Sequence, residues 1–373
     1  MGNIVDYVKE IGKISLAKRP FNSVDSLVLS ELSYFKYDDI LSESKEEQEG
    51  LTMWEISHIE DLDRLFQGLM DVSENRALLL AVANSRRFGK MRLKYYVNRI
   101  DREHESQFSA VTFFLEADNI YIAFRGTDET LIGWKEDFNM GFLSPVPAQS
   151  AGLAYLESVT AKFQGDCYVG GHSKGGNIAV YAAMQASLPI QKRIRKIYSH
   201  DGPGFKDAIF DTKGYQAVKD KICKLIPSSS IVGLLLQHQE EHRVVRSSKL
   251  GVLQHDPLTW IVEKGDYLYL DEVDKKALLT NQTLNQWIAS MTEDARKELV
   301  DIIFGILEAS DLDTTSAFTE EWRSALTAII NAGKGIDEET GILLKETFRQ
   351  LIHMGRENLK AQLHTTYLSQ SDT

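Results

Sequence analysis

The sequence predicts an α/β fold, and three features of the chain support that prediction. Short apolar runs typical of buried strands recur between residues 110 and 270. One of them, Cys167, Tyr168 and Val169, is followed by a glycine-rich turn and by a helix of small residues over 176–184. Helical periodicity dominates on either side of this part, so we expect helical additions before and after an α/β core.

The turn after Val169 has the pattern Gly171-x-Ser173-x-Gly175, which is typical of a nucleophile elbow. In such a turn the serine adopts a strained backbone conformation, and the two glycines let strand and helix approach without side-chain clashes. Its hydroxyl then stands at a helix N-terminus, where free N–H groups favour a developing negative charge. The alternative is a glycine-rich turn with a chance serine. The flanking strand and helix favour the elbow.

Length and composition indicate an ordinary globular protein of 373 residues, 43% hydrophobic and 26% charged. We expect a mainly helical N-terminal part over residues 1–105, a catalytic α/β core over 106–270 and a C-terminal helical bundle over 271–373. The net charge of −12 argues against nucleic acid as a partner. One basic cluster is interpreted as a solvated face: Arg86, Arg87, Lys90, Arg92 and Lys94.

Three observations predict a cytoplasmic protein without a transmembrane segment. Cys167 and Cys223 both lie in predicted interior strands, which indicates buried thiols in a reducing compartment. The N-terminus lacks the basic-then-apolar order of a signal peptide. The best apolar run, residues 231–236, is far shorter than the ~18 residues that a membrane helix needs.

Secondary-structure signals divide the first 125 residues. Apolar spacing predicts helices over residues 26–41, 55–70 and 73–84, with a polar loop over 42–50. Two strands, residues 110–116 and 120–125, then form a predicted β-hairpin.

The second strand of this hairpin runs directly into Gly126, Thr127 and Asp128. An acyl-transfer enzyme needs backbone N–H groups directed at the oxyanion, and one comes from the residue after the nucleophile, here Lys174. The other comes from a loop that ends an earlier strand, where Thr127 is well placed. A plain Gly-Thr-Asp turn fits equally well, and spacing alone does not decide between them.

These motifs together resemble the lipase class 3, or fungal-type lipase, arrangement of the α/β-hydrolase fold. The residues that carry the resemblance are 122–127, Trp134, Asp137, Gly141, Phe142 and 170–176. The resemblance implies that Thr127 supplies an oxyanion-hole donor and that Ser173 is the nucleophile. More closely, the first ~265 residues resemble the Mbeg-like bacterial family through residues 3–7, 20–25 and 254–256, among others. That family is a domain of unknown function, so the likeness implies a fold and a triad without a substrate.

A catalytic triad also needs an acid, which in α/β-hydrolases follows the nucleophile on a loop after a later strand. The predicted strand 195–199 leads to Asp201 in a loop rich in glycine and proline. Class 3 lipases carry the acid one strand later, where this sequence has Ser230. The missing acid leaves Asp201 as the best candidate, with Asp256 as its rival.

The histidine of the triad is expected beyond the last core strand. His255 follows the probable strand at Val244 and Val245, and we assign it as general base. The alternative is a loop histidine without a catalytic part. His238 and His242 have the i, i+4 spacing of metal ligands, but no third ligand is evident, so we predict no metal site.

Two segments outside the triad remain to be interpreted. Residues 138–147 combine apolar side chains with two prolines; they could line an acyl pocket or lead into a lid, but a structural crossover to a helix over 151–163 is favoured. Beyond residue 270, helices are predicted over residues 277–291, 293–309, 318–332 and 338–363. They offer a packing face for the hydrolase, for a protein partner or for self-association.

The sequence therefore predicts a serine hydrolase with an α/β-hydrolase fold, acting on an ester or thioester, with a lipid-like ester suggested by resemblance alone. Ser173 attacks, His255 transfers the proton and Asp201 orients the imidazole, with no cofactor. The alternative function is an inactive scaffold that keeps the fold and binds partners through its helical C-terminus. Joint retention of Ser173, Asp201 and His255 argues against the scaffold, whereas the serine at position 230 keeps it open.

Overall fold

The structure is a computed structural model of the chain. It describes residues 2–41, 49–101, 103–116, 118–128, 131–140, 145–309 and the short stretches 349–350, 353–354 and 357–358. The predicted helix 318–332 lies outside the described residues, and so does most of the predicted helix 338–363.

A single mixed β-sheet forms the centre of the protein. The strands, in chain order, are β1 (Leu51–Thr52), β2 (Arg92–Asp101), β3 (Ser106–Phe114), β4 (Asn119–Phe124), β5 (Asp166–His172), β6 (Ile194–His200), β7 (Ile222–Pro227), β8 (His242–Val245), β9 (Val262–Glu263), β10 (Asp266–Tyr267) and β11 (Tyr269–Leu270). Nine of them form one sheet in the order β1-β2-β3-β4-β5-β6-β7-β8-β11, and β9 pairs with β10. Strands β4 to β8 are parallel, and the flanking pairs are antiparallel.

Helices cover both faces of this sheet. They are α1 (Ile4–Ile11), α2 (Ser23–Leu32), α3 (Asp38–Leu41), α4 (Met53–Ile56), α5 (Val72–Ala83), α6 (Leu131–Asn139), α7 (Pro147–Lys162), α8 (Lys174–Gln185), α9 (Leu188–Arg193), α10 (Lys213–Val218), α11 (Lys275–Ser290) and α12 (Glu293–Ala309). The predicted α/β-hydrolase fold, with helices before and after the core, is confirmed.

Side chains of β4 show how the two faces are filled. Tyr121 and Ala123 belong to an apolar cluster with the N-terminal helices, whereas Ile120, Ile122 and Phe124 belong to a second cluster with α7 and α8. This alternation is expected of a strand that is buried on both faces. The N-terminal helices therefore cover one face of the sheet.

The topology brings several loops to one edge of the sheet, because the carboxyl ends of parallel strands lie together. Ser173 follows β5 and Asp201 follows β6. Residues 228–236 follow β7 at the same edge, and His255 ends a short 3₁₀ helix, Gly251–His255, beyond β8. Loops at this edge are the usual place for ligand sites in parallel sheets.

The predictions for the N-terminal helices were only partly right. The predicted helix 26–41 is two helices, α2 and α3, and the predicted helix 55–70 is wrong. That stretch contains only the end of the four-residue helix α4 and a 3₁₀ turn, Leu62–Phe66. A capping box between Thr52 and Glu55 starts α4, which ends at Ile56, so apolar residues beyond it reach the core from turns.

The basic cluster was also misread in part, because Arg87 is buried rather than solvated. Its Nε donates to Asp25 Oδ1 at 2.7 Å, and Nη2 contacts Asp25 Oδ2; both side chains are fully buried. Tyr7 donates to the same carboxylate at 2.8 Å. Arg92 and Lys94 lie on β2, a ten-residue strand that the sequence analysis missed.

The C-terminal helices α11 and α12 pack against the core at separate places. Val273 and Ala277 join Ile226, Leu234 and Val244 in one apolar cluster. On α12, Asp301 forms an ion pair with Lys135 of α6 at 2.8 Å, and Phe304 packs edge-to-face on Phe138 at 5.7 Å between ring centroids. Within the described part of the chain, no helix combines the length and apolarity that crossing a bilayer demands.

Candidate active site

Ser173 occupies a strained turn between β5 and α8. Its backbone angles, φ 57° and ψ −132°, lie in a region that residues with a side chain rarely adopt. The glycines on either side are required, because a Cβ on Gly171 would lie 2.4 Å from the Phe124 carbonyl oxygen and one on Gly175 would lie 2.0 Å from it. The backbone geometry is that of the predicted nucleophile elbow.

Asp201 and His255 are joined by a short hydrogen bond. The Nδ1–H of His255 donates to Asp201 Oδ2 at 2.6 Å. Asp201 is fully buried, whereas the His255 side chain is 31% exposed, so one end of the imidazole is anchored and the other faces outwards. The bond to Asp201 uses Nδ1, so Nε2 is the ring nitrogen that does not contact the carboxylate.

Ser230 helps to hold the acid. Its hydroxyl donates to Asp201 Oδ1, and the Gly233 N–H donates to the same oxygen at 3.2 Å. Asp201 itself has a positive φ of 52°, and its N–H donates to the Leu225 carbonyl at 2.7 Å. The loop after β7 therefore contributes hydrogen-bond donors to a carboxylate that lies one strand earlier.

The rival acid, Asp256, points elsewhere. Its Oδ1 accepts the Leu258 N–H at 2.9 Å and caps the 3₁₀ turn Pro257–Thr259. Burial raises the pKa of its carboxyl. Of the two carboxylates, Asp201 is the one hydrogen-bonded to the His255 ring.

His172, directly before the elbow serine, links the loop of His255 to the N-terminal helices. Its Nε2–H donates to the backbone carbonyl of His255 at 2.8 Å, so Nδ1 accepts the Tyr34 hydroxyl at 3.0 Å. The two histidine rings lie 4.5 Å apart between centroids. Burial, together with the charge of His255, lowers the pKa of His172 well below its ordinary value, so this ring is neutral.

These contacts place the His255 ring beside the elbow. Among the residues that the structure describes, no hydrogen bond joins the Ser173 hydroxyl to that ring. Catalytic hydrogen bonds are often long before substrate binds, so this separation does not conflict with a triad.

Thr127 and Lys174, the predicted oxyanion donors, meet around Asp137. The Thr127 hydroxyl donates to Asp137 Oδ2, and Lys174 Nζ lies 3.8 Å from Asp137 Oδ1. Gly126 packs tightly against Tyr34, since a Cβ at Gly126 would lie 2.1 Å from the Tyr34 hydroxyl. The turn that carries Thr127 is thus held from two sides.

His238 and His242 have the i, i+4 spacing of metal ligands, and the structure shows what lies around them. His238 and His242 lie close together, with ring centroids 5.4 Å apart, but nowhere in the described ranges do three metal-ligating side chains converge. Cys167 is buried and Cys223 is half-buried, and both are free thiols. Residues 141–144 of the predicted segment 138–147 lie outside the described residues, and α7 begins at Pro147.

One cavity, of about 570 Å³, lies away from this chemistry. Its wall consists of Lys36, Asp38, Ile40, Ile59, Glu60, Asp61, Arg64 and Gln67. Its charges are mixed, and Arg64 already pairs with Asp61 at 2.7 Å. Neither the elbow nor the His255–Asp201 pair contributes to its wall, so we do not assign it to the reaction.

Comparison with known proteins identifies the family. A family model described as Mbeg1-like matches residues 82–305, more than half of the chain. The chain belongs to the Mbeg1-like family. The match includes Thr127, Ser173, Lys174, Asp201 and His255, and it covers α11 and most of α12.

Solved structures similar to this Mbeg1-like chain include lipases. They are the M37 lipase (15% identical, covering 57% of this chain and 70% of that chain, TM-score 0.36), a fungal lipase–inhibitor complex (14%, 60% and 78%, 0.37) and a deletion mutant of the Rhizomucor miehei lipase propeptide complex (16%, 66% and 71%, 0.38). A search of curated proteins finds no match. At these identities the likeness concerns the fold alone.

Sequence reasoning missed three supporting residues of the Mbeg1-like site. Tyr34 and His172 were left without a role, and Ser230 was treated only as a missing acid. No pattern marks Tyr34, because its partner is 138 positions away in the chain. The role of Ser230 could have been inferred from the sequence. It stands where class 3 lipases carry the acid, and a hydroxyl donor at that position suggests that the acid lies within hydrogen-bond reach.

Proposed function

We propose that this Mbeg1-like protein is a serine hydrolase that cleaves carboxylic esters or thioesters through an acyl-enzyme. The observation that carries the proposal is the 2.6 Å bond between buried Asp201 and His255 beside a strained elbow at Ser173. A residue held in a rare backbone conformation persists only where its surroundings enforce it, and such strain is concentrated at functional sites.

In the proposed first step, His255 Nε2 removes the proton of Ser173 as the hydroxyl oxygen bonds to the substrate carbonyl carbon. The carbonyl π electrons move to oxygen, and the N–H groups of Thr127 and Lys174 stabilise that oxyanion. Collapse breaks the bond to the alcohol or thiol, which leaves with the proton from His255. Asp201 stabilises the imidazolium formed between these events.

In the second step, water takes the place of the alcohol. His255 removes a proton from water as its oxygen attacks the acyl-enzyme, and a second oxyanion collapses to release the acid and restore the Ser173 hydroxyl. No metal ligand or cofactor enters this sequence. A lipid-like ester is the proposed substrate class, and the cytoplasm, which suits two free thiols, is the proposed compartment.

A fluorophosphonate probe tests the nucleophile directly. We expect the purified protein to be labelled on Ser173, as mapped by mass spectrometry, and Ser173→Ala to remove the label. His255→Ala should slow labelling at least a hundredfold, in line with the usual contribution of a general base, about 10²–10⁴. Exposed His104→Ala is the control and should label at the wild-type rate.

Esters of p-nitrophenol with acyl chains of increasing length would then define the substrate. Absence of labelling on a protein with cooperative thermal unfolding would exclude an activated serine. The scaffold would then become the preferred function, and α11 and α12 the first surface to examine for partners.

A further inference from the structure

The side chain of Lys174 has no role in the reaction described so far, which uses only its backbone N–H. It extends from the first turn of α8 into the interior and is 1% exposed. Its ammonium donates to the Gln107 carbonyl at 3.1 Å, to Gln107 Oε1 at 2.9 Å and to Glu136 Oε2 at 3.0 Å. All three hydrogens of the ammonium are therefore used.

Glu136, on α6, is fully buried and serves as the counter-ion. Its Oε2 also accepts the Gln107 N–H at 3.0 Å, and its Oε1 accepts the Ala148 N–H at 2.8 Å. A buried ion pair is often no more stable than an apolar pair of similar size, because both charges lose their hydration. Stability alone therefore gives little reason for a lysine directly after the elbow serine.

The neighbouring residue Asp137 suggests another reason. Its Oδ2 accepts the Thr127 hydroxyl, and its Oδ1 is buried and accepts no hydrogen bond from the described residues. Lys174 Nζ lies 3.8 Å from this Oδ1. The Lys174 ammonium thus faces the carboxylates of Glu136 and Asp137, which are successive residues of α6. Glu136 anchors the helix, and Asp137 holds the turn of residues 126–128, which we call the oxyanion turn.

We propose that the Lys174 ammonium is a positioning group that keeps Asp137 ionised and hydrogen-bonded to Thr127, so that the Thr127 N–H stays directed at the oxyanion. The proposal rests on the proposed function, because it concerns the oxyanion hole of that reaction. It makes Lys174 contribute twice: its N–H touches the substrate oxygen, while its side chain acts through Asp137.

The charges around Asp137 give the expected pH behaviour. Its carboxyl faces Lys174 from α8, Glu136 on its own helix, His255 from the loop after β8 and Tyr34 from the turn after α2. Burial raises the pKa of Asp137 to about 6, whereas Lys174, Thr127 and His255 act to lower it. Removing the ammonium should raise this pKa further, so Asp137 would become protonated at a higher pH.

The test is the pH profile of kcat and KM for p-nitrophenyl butyrate, with fluorophosphonate labelling in parallel, for wild type and Lys174→Met. We expect Lys174→Met to lower kcat about tenfold or more, since loss of one oxyanion donor costs about 10²–10³. KM should change little, and the acid limb of the kcat profile should move to higher pH. Lys9→Met, the control, removes a lysine ion pair with Asp6 on α1 and should move neither quantity.

A double variant distinguishes action through Asp137 from a general structural role. With Asp137→Asn already present, Lys174→Met should lower kcat no more than twofold further. Additive losses of kcat in the double variant would overturn the proposal. A Lys174→Met protein with lower thermal stability but unchanged kcat and acid limb would also overturn it.

If Lys174→Met does not fold, Lys174→Gln keeps a donor for Glu136 and carries the same expectations. If the wild type is not labelled by the fluorophosphonate, the proposed function itself is refuted. If the wild type is labelled but Lys174→Met leaves kcat and its acid limb unchanged, only this inference is refuted.

Discussion

At the scale of single residues, the identity of the acid is the most direct question. Asp201 lies 2.6 Å from His255 Nδ1, whereas Asp256 caps a 3₁₀ turn. We predict that Asp201→Asn lowers kcat about a thousandfold or more, because an amide stabilises neither the tautomer nor the imidazolium. Asp256→Asn should stay within about threefold of wild type. Turnover of a p-nitrophenyl ester measures both, and equal losses in the two variants would contradict the assignment.

A second residue-scale prediction concerns Glu31, which is 7% exposed on α2. Burial, with a smaller contribution from Asp256, raises the pKa of Glu31 to about 8. In the unfolded chain the carboxyl titrates near 4.3, so between these values the folded state binds more protons than the unfolded state. This carboxyl should therefore lower stability as pH rises from about 4.3 to 8, and should have no further effect above pH 8.

Glu31→Gln tests this sign. The amide stays neutral, so the stability of the variant relative to wild type should rise by about 3–4 kcal/mol from pH 5 to pH 8. Urea unfolding at both pH values gives the two free energies of unfolding. A constant difference between variant and wild type would show that Glu31 does not titrate in this range.

At the scale of elements, the contact between β5 and the N-terminal helices extends to His255, the proposed general base. His172 holds the His255 carbonyl at 2.8 Å and is itself held by Tyr34 at 3.0 Å. We predict that His172→Phe lowers kcat about tenfold or more, because a small misplacement of the base slows proton transfer strongly. Tyr34→Phe should have the smaller effect, since one neutral hydrogen bond is worth about 1 kcal/mol.

The pH profile separates positioning from catalysis by His172 itself. Because the pKa of its ring is already far below the ordinary value, His172 should contribute no ionisation to the profile. His172→Phe should therefore lower the plateau of kcat without moving its midpoints. A shifted midpoint would mean that His172 takes part in proton transfer.

An element could be predicted from the sequence where the residues that determine it are close together in the chain. The residues that form the elbow at Ser173 are adjacent in the chain, and each of the strands β4 to β7 has apolar residues close together in sequence, so both were found from sequence. Strand β2 was missed because its basic residues, exposed Arg92 and half-buried Lys94, resemble a solvated face and because a bulge after Lys94 disrupts its alternation.

Causes that lie far apart in the chain were not predictable. Arg87 is buried because Asp25, 62 positions earlier, neutralises it, and nothing near Arg87 signals that partner. Thr127, Ser173, Asp201 and His255 could be selected as candidates because each follows a strand whose carboxyl end lies at the same edge of the sheet. No spacing rule predicts the hydrogen bond from Ser230 to Asp201 or the approach of Lys174 Nζ to Asp137, because both depend on three-dimensional contacts.

At the scale of the whole molecule, the C-terminal helices contact both ends of the candidate site. Asn281 of α11 donates to the Ser230 carbonyl at 2.8 Å, and Asn285 donates to the Leu234 carbonyl at 3.1 Å and accepts the Leu236 N–H at 2.9 Å. These bonds hold the loop that supports Asp201. On the other side, α12 packs on α6, which carries Asp137 and Glu136.

These contacts predict that the helices beyond residue 270 act on catalysis and are not a separate attachment. Replacing Asn281 and Asn285 together by leucine should lower kcat about fivefold or more, because the Ser230 loop loses three hydrogen bonds while the apolar contacts of Val273 and Ala277 keep the helix docked. Gln282→Leu, exposed on the same helix, is the matched control and should leave kcat unchanged. Steady-state kinetics and thermal unfolding of all three proteins decide the matter. A double variant with normal kcat and normal stability would mean that α11 is an independent attachment, which would return the C-terminal bundle to the role of a partner-binding module.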